Sequence, residues 1–215
     1  MRKSIPIVLA AVVVLAALVV GWPSLAAEEK DGEKPADGPK VKRAFAFTLN
    51  DQSGNPVTFS QFRGKIVVLE WVNFDCEVSK RHYERGTFNE LAKKYCSGSG
   101  KKQKAVWLAI NSTHYADVDR NKAAASKYKV RYSILDDHES KVGRIYRAKT
   151  TPHIFIKAAD GSIAYEGAVD DDPTGEKEEP LNYIDQALGE LIEGKAVSVP
   201  KTDPYGTRIT YPRNR

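Results

Sequence analysis

IVVLEWV, residues 66–72, runs directly into NFDC, residues 73–76. Apart from Glu70 the first stretch is continuously apolar, short and β-branched, which predicts a central strand buried on both faces. From Cys76 to residue 95 the pattern becomes helical, with Gly86 as a predicted kink. A cysteine that follows a buried strand by one short loop and opens a helix has a special position. Open α/β sheets carry their ligand sites off the carboxyl ends of strands. A helix N-terminus offers unpaired amides and partial positive charge, and both favour a thiolate. Asp75 and Glu77 flank Cys76 and oppose this, while Lys80, Arg81 and His82 follow one to two turns along. The alternative is a structural cysteine, a common fate for a buried thiol.

Outward from this stretch, residues 44–49 predict a short strand, 51–55 a turn, and 57–59 its hairpin return. Residues 60–62 predict a turn of helix closed by Gly64. AVWLAI (105–110) predicts a second buried strand, 117–128 a helix and 133–135 a short strand. Residues 140–146 predict a short helix with Val142, Ile145 and Tyr146 on one side. Segments 154–157 and 162–166 flank Asp160-Gly161, a hairpin signal. Residues 180–193 predict a last helix, with Pro180 at its start and Gly194 as its cap. Leu181, Ile184, Leu188, Leu191 and Ile192 share its apolar face. Strands alternating with helices give the α/β class, a parallel-rich sheet covered on both faces with antiparallel strands added by the last hairpin.

The 215 residues are 41% hydrophobic, enough for one core, and exclude wholesale disorder. Two cysteines exclude a disulfide-dense scaffold and a four-cysteine zinc site. The net charge of +5 is spread among acids, with Lys101, Lys102 and Lys104 the densest basic group. A nucleic-acid footprint would be a basic stripe with interleaved aromatics. No such stripe is present, so no nucleic-acid partner is expected.

Arg2-Lys3, an apolar run over residues 5–20 and Ser24-Leu25-Ala26 have the layout of a secretory signal peptide, residues 1–26. The apolar run is slightly short of the roughly 17–25 residues a spanning helix needs. A membrane contact is expected only if the segment stays uncleaved. Residues 27–42 predict a flexible linker, 43–199 the folded domain and 200–215 a C-terminal tail. The expected destination is periplasmic or secreted, an oxidising compartment.

Cys76-Glu77-Val78-Ser79 is C-x-x-S. The Ser79 hydroxyl can hydrogen-bond a thiolate but cannot resolve a mixed disulfide. Along an unbroken helix, Cys96 would lie about 30 Å away, and a bridge needs Cα atoms within about 7 Å. No Cys76–Cys96 bond is expected; Cys96 is a bystander or a site of intermolecular pairing. Thr150-Thr151-Pro152-His153, taken alone, reads as an ordinary turn. Glu70 and Trp71 read as structural, with a proton shuttle as the alternative for Glu70. Copper held by Cys76 and His153 is a weaker alternative. Asp170, Asp171 and Asp172 read as a solvated loop rather than a calcium site.

Taken together, VVLEWVNFDC (67–76), KRHY (80–83), VWLAINS (106–112), KVGRIYRAKTTPHIFI (141–156) and DGSIAYEGAVDD (160–171) resemble a known family. It is the exported redoxins of the peroxiredoxin/TlpA-like, AhpC/TSA-type branch of the thioredoxin superfamily. The likeness extends to Pro204-Tyr205-Gly206 in the tail. It implies a thioredoxin-like fold, a central mixed sheet with helices on both faces and an N-terminal β-hairpin extension. It implies that Cys76 is the nucleophile and that Thr151-Pro152 is a cis-proline loop facing the substrate. Asn73 and Ser79 would orient and hydrogen-bond the sulfur, and the Thr151 backbone would bind an extended substrate edge. Three departures stand out. Cys76-Glu77-Val78-Ser79 replaces Cys-Pro-Phe-Val, Asn73 stands where peroxiredoxins carry Thr, and Thr207 replaces the Cys of Pro-Tyr-Gly-Cys. The implied activity is a thiol oxidoreductase or one-cysteine peroxidase, acting on a disulfide or peroxide and resolved by an external thiol. No cofactor and no metal are implied. The competing expectation is a non-catalytic binding module on the same scaffold.

Overall fold

The computed structural model describes residues 43–98 and 103–211. The expected signal peptide and linker, and Lys101 and Lys102, lie outside the described residues. An edge hairpin comes first, β1 (Thr48–Asn50) and β2 (Pro56–Thr58), followed by a 3-10 turn at Phe59–Phe62. Next come β3 (Ile66–Trp71), α1 (Glu77–Glu84), α2 (Thr87–Tyr95), β4 (Ala105–Asn111), α3 (Val118–Lys127) and β5 (Ser133–Asp136). Then follow α4 (Lys141–Tyr146), β6 (Thr150–Thr151), β7 (His153–Lys157), β8 (Ile163–Gly167), α5 (Tyr183–Ile192) and β9 (Thr207–Arg208).

Seven strands form one sheet in the order β2-β1-β5-β4-β3-β7-β8. β3 runs parallel to β4, and β4 parallel to β5. The other neighbours are antiparallel, so the sheet is mixed. The near-continuous apolar run of β3 follows from its place. Val68 and Val72 face a layer holding Tyr83 of α1, Phe88 and Leu91 of α2, Ala124 of α3 and Leu188 of α5. Val67, Leu69 and Trp71 face the other layer, with Phe59 and with Val142 and Tyr146 of α4. Both faces are therefore covered, and alternation is lost because neither is wet.

Three local expectations need correction. The helix over 76–95 is two helices: Gly86 takes φ +75° between α1 and α2, a left-handed conformation that ends one helix and starts the next. The last helix starts at Tyr183, because the Asn182 side chain accepts from the Asp185 amide at 2.9 Å and caps it. Leu181 therefore lies before the helix and is 49% exposed. Ile145, expected on the same side of α4 as Val142 and Tyr146, is exposed while those two are buried. Among the described residues no helix is long and apolar enough to cross a membrane.

Candidate active site

The end of β3 is fixed by the Val72 amide, which donates to the Ile110 carbonyl of β4 at 3.0 Å. The chain then folds on itself through Asn73. Its side-chain oxygen accepts from the Asp75 amide at 2.8 Å, and its carbonyl accepts from the Cys76 amide at 3.0 Å. Cys76 follows in extended conformation as the N-cap of α1. The antiparallel register Trp71↔His153 brings the start of β7 beside the end of β3. That places the Thr151-Pro152 peptide, which is cis, against Cys76. The Cys76 thiol donates to the Thr151 carbonyl, with Sγ 2.8 Å from the oxygen.

A third segment completes the site. β9 pairs antiparallel with β6, Thr151 opposite Thr207 and Thr150 opposite Arg208. Gly206 holds φ +122°, and a Cβ there would collide with the Thr151 carbonyl oxygen. Glycine is needed for this approach on both counts. Thr207 thereby lies against the sulfur.

Burial pushes the Cys76 thiol up, but four donors oppose it: the Thr207 hydroxyl, the Ser79 amide, the Thr207 amide and the Thr151 hydroxyl. The net direction is down from the ordinary thiol value, which raises the thiolate fraction. Cys96 goes the other way, pushed up to about 12 by burial alone. Both cysteines are free thiols. The structure therefore holds one thiol favoured for ionisation and one suppressed.

Of the five expected site residues, Cys76, Thr151 and Pro152 come together. Asn73 acts through its backbone and loop geometry; its side-chain amide donates to the Tyr115 hydroxyl at 3.4 Å rather than to sulfur. Ser79 faces the sulfur with its amide, whereas its buried hydroxyl has no hydrogen-bond partner among the described residues. The sulfur is shielded from solvent, Cys76 being 2% exposed. One expectation is corrected. The Thr151 edge is not vacant, since β9 is paired to it. Sequence reasoning did not assign Thr207 to the site; its one signal was the substitution noted after Pro204-Tyr205-Gly206.

The His153 Nδ1 atom accepts from the Lys149 amide at 3.1 Å, and the ring lies 4.5 Å from that of Phe155. Among the described residues no group of three or more His, Cys, Asp or Glu is placed to hold a metal ion. Glu70 accepts from the Tyr83 hydroxyl and the Trp107 indole, both at 2.8 Å, and from the Tyr132 hydroxyl at 3.4 Å. The acidic loop is not simply solvated. Asp172 is buried and accepts from the amides of Gly175, Glu176 and Lys177, while Asp170 accepts from the Tyr205 hydroxyl.

Comparison with known proteins bears on the family and the fold. Peroxiredoxin Q, chloroplastic, of Triticum aestivum is 34% identical over 96 residues, covering 45% of this chain and 40% of the relative. The chain thus spans less than half the length of the curated relatives it matches. An uncharacterized conserved protein from Geobacillus kaustophilus superposes with a TM-score of 0.71 at 24% identity, covering 81% of this chain and 93% of that one. The thioredoxin domain of a thiol-disulfide oxidoreductase from Bacteroides vulgatus gives a TM-score of 0.50 at 19% identity, over 59% and 86% of the two chains. The fold is thioredoxin-like. The AhpC/TSA family model matches residues 41–166, a span that includes β3, Cys76 and the Thr151-Pro152 loop, and the chain belongs to the AhpC/TSA family as a thioredoxin-fold redoxin.

Proposed function

We propose that the protein is an exported thiol oxidoreductase that uses Cys76 as its single nucleophile. The observation that carries this reading is the Cys76 sulfur at the N-terminus of α1, 2.8 Å from the Thr151 carbonyl and held low in pKa by hydrogen-bond donors. With a disulfide, the thiolate attacks one sulfur, the S–S bond breaks, and the other sulfur leaves as a thiolate. The mixed disulfide is then released by an external thiol. With a peroxide, the thiolate attacks the O–O bond, giving a sulfenic acid and water or an alcohol. An external thiol condenses with the sulfenic acid, losing water, and a second thiol restores Cys76. An internal resolving role for Cys96 is disfavoured by its suppressed ionisation. Export rests on the signal-like segment of residues 1–26.

The test is the rate of Cys76 with hydrogen peroxide and with a model disulfide, measured in a Cys96→Ala background against free cysteine. The expected pH dependence has an inflection below the ordinary thiol pKa and is lost in Cys76→Ser; no reaction at Cys76 with either oxidant would overturn the reading. A second reading, a non-catalytic binding module, is favoured by the 2% exposure of Cys76. It predicts that Cys76→Ser leaves partner capture unchanged.

A further inference from the structure

Residues 201–211 are fastened to the domain on both sides of the sulfur. On one side the Thr202 amide donates to the Glu166 carbonyl at 3.1 Å, and its hydroxyl accepts from the Ala168 amide at 2.8 Å. The Tyr205 hydroxyl donates to Asp170 and lies 3.4 Å from His82 Nε2. On the other side the Ile209 amide donates to the Lys149 carbonyl at 2.9 Å, and the Tyr211 hydroxyl donates to the Ala148 carbonyl at 2.7 Å. Between these anchors only two residues, Thr207 and Arg208, pair with β6, and both are exposed on their outer side. β9 lies against Cys76 through Thr207. Beside it is a cavity of about 190 Å³ whose wall includes Asn73, His114, Tyr115, Thr151, Thr207 and Arg208, but not Cys76.

We propose that this segment is a substrate-mimicking strap: Gly206, Thr207 and Arg208 occupy the edge that an extended, disulfide-bearing peptide would use, and Cys76 reacts after the strap lifts. The inference rests on Cys76 being the reactive thiol of the proposed function. Three features carry it. The strap satisfies the Thr151 edge by the antiparallel pairing an added peptide strand would make. It places the Thr207 hydroxyl and amide against the sulfur. Its central pairing is short and exposed, so it can open locally while the anchors and the core stay folded.

The experiment uses the full chain in a Cys96→Ala background. Gly206→Val puts a Cβ into the Thr151 carbonyl and should unseat the strap while leaving the sheet intact, checked by circular dichroism. Labelling of Cys76 by a maleimide is expected to speed up by about tenfold or more, since the protected state is lost. Unchanged labelling in the folded variant would overturn the strap. Thr207→Cys supplies an independent reading. Diamide takes up the two thiol hydrogens and becomes the hydrazine as a disulfide forms between the new thiol and Cys76. Formation of that bond within one chain, with loss of maleimide labelling, supports the seated strap; its absence with Cys76 still labelling argues against it. The wild-type protein and the strap-lifted Gly206→Val variant are each read separately with a small aromatic disulfide. If Gly206→Val labels fast yet shows no reaction at Cys76 with that disulfide, the strap stands and the redox reading fails.

Discussion

Burial and hydrogen bonding act against each other at the Cys76 sulfur. Burial raises the thiol pKa, and the Thr207 hydroxyl is the largest of the contacts that bring it below the ordinary value. Thr207→Val keeps the branched shape and the backbone donors but removes that hydroxyl. The Cys76 pKa is expected to rise, read as a shift to higher pH of thiolate absorbance in the Cys96→Ala background; an unshifted titration would remove Thr207 from the site. This residue also marks the limit of what the sequence revealed here. Cys76 was legible because a strand-to-helix junction is a local pattern. The Thr151-Pro152 loop became legible only through the family likeness. The role of Ser79 was misplaced, since spacing puts the residue near the sulfur but cannot tell its amide from its hydroxyl. Thr207 comes from a segment more than a hundred residues away, and no periodicity reports such a contact.

At the scale of elements, the strands and helices that build the core were legible because their periodicities are set by burial. β3 and β4 read as doubly buried, and both are. Errors gathered where a capping residue competes with an apolar pattern. Pro180 and Leu181 looked like the first turn of α5, yet the cap is Asn182, two residues beyond Pro180. The Asn182 carboxamide takes up one of the amides that the first turn leaves unpaired. Asn182→Ala should therefore destabilise the protein by about 1 kcal/mol, measured as a shift in the urea midpoint at constant slope. An equal midpoint would mean that the Pro180-Leu181 turn, rather than Asn182, holds this end of the helix. β9 was missed for a different reason. Two exposed residues carry no apolar signature, and only the partner strand makes them a strand.

At the scale of the whole molecule, two buried groups among the described residues, Glu70 and His82, contribute opposing pH dependences above the ordinary carboxylate range. Burial pushes Glu70 up from 4.5 to about 7, against hydrogen bonds from Trp107, Tyr83 and Tyr132. Between these values the folded chain keeps a proton that the unfolded chain releases, so Glu70 lowers stability as pH rises. Burial chiefly pushes His82 down from 6.5 to about 4; Asp170 and Asp172 oppose this, and Arg81 and Arg85 reinforce it. Between those values the unfolded chain binds a proton that the folded chain refuses, so His82 lowers stability as pH falls. From about pH 4.5 to 6.5 the two slopes have opposite signs, and the wild-type stability should be nearly flat. Glu70→Gln removes one of them. Its amide oxygen can still accept from Trp107, and its amide hydrogens can turn to the Tyr83 and Tyr132 hydroxyls, which can accept. The variant should then gain roughly 2–3 kcal/mol of stability from pH 4.5 to 6.5, one slope unmasked. Urea unfolding of both proteins across this range decides the matter. Parallel profiles would mean that Glu70 ionises alike in the folded and unfolded chains, and that its three aromatic donors offset its burial in full.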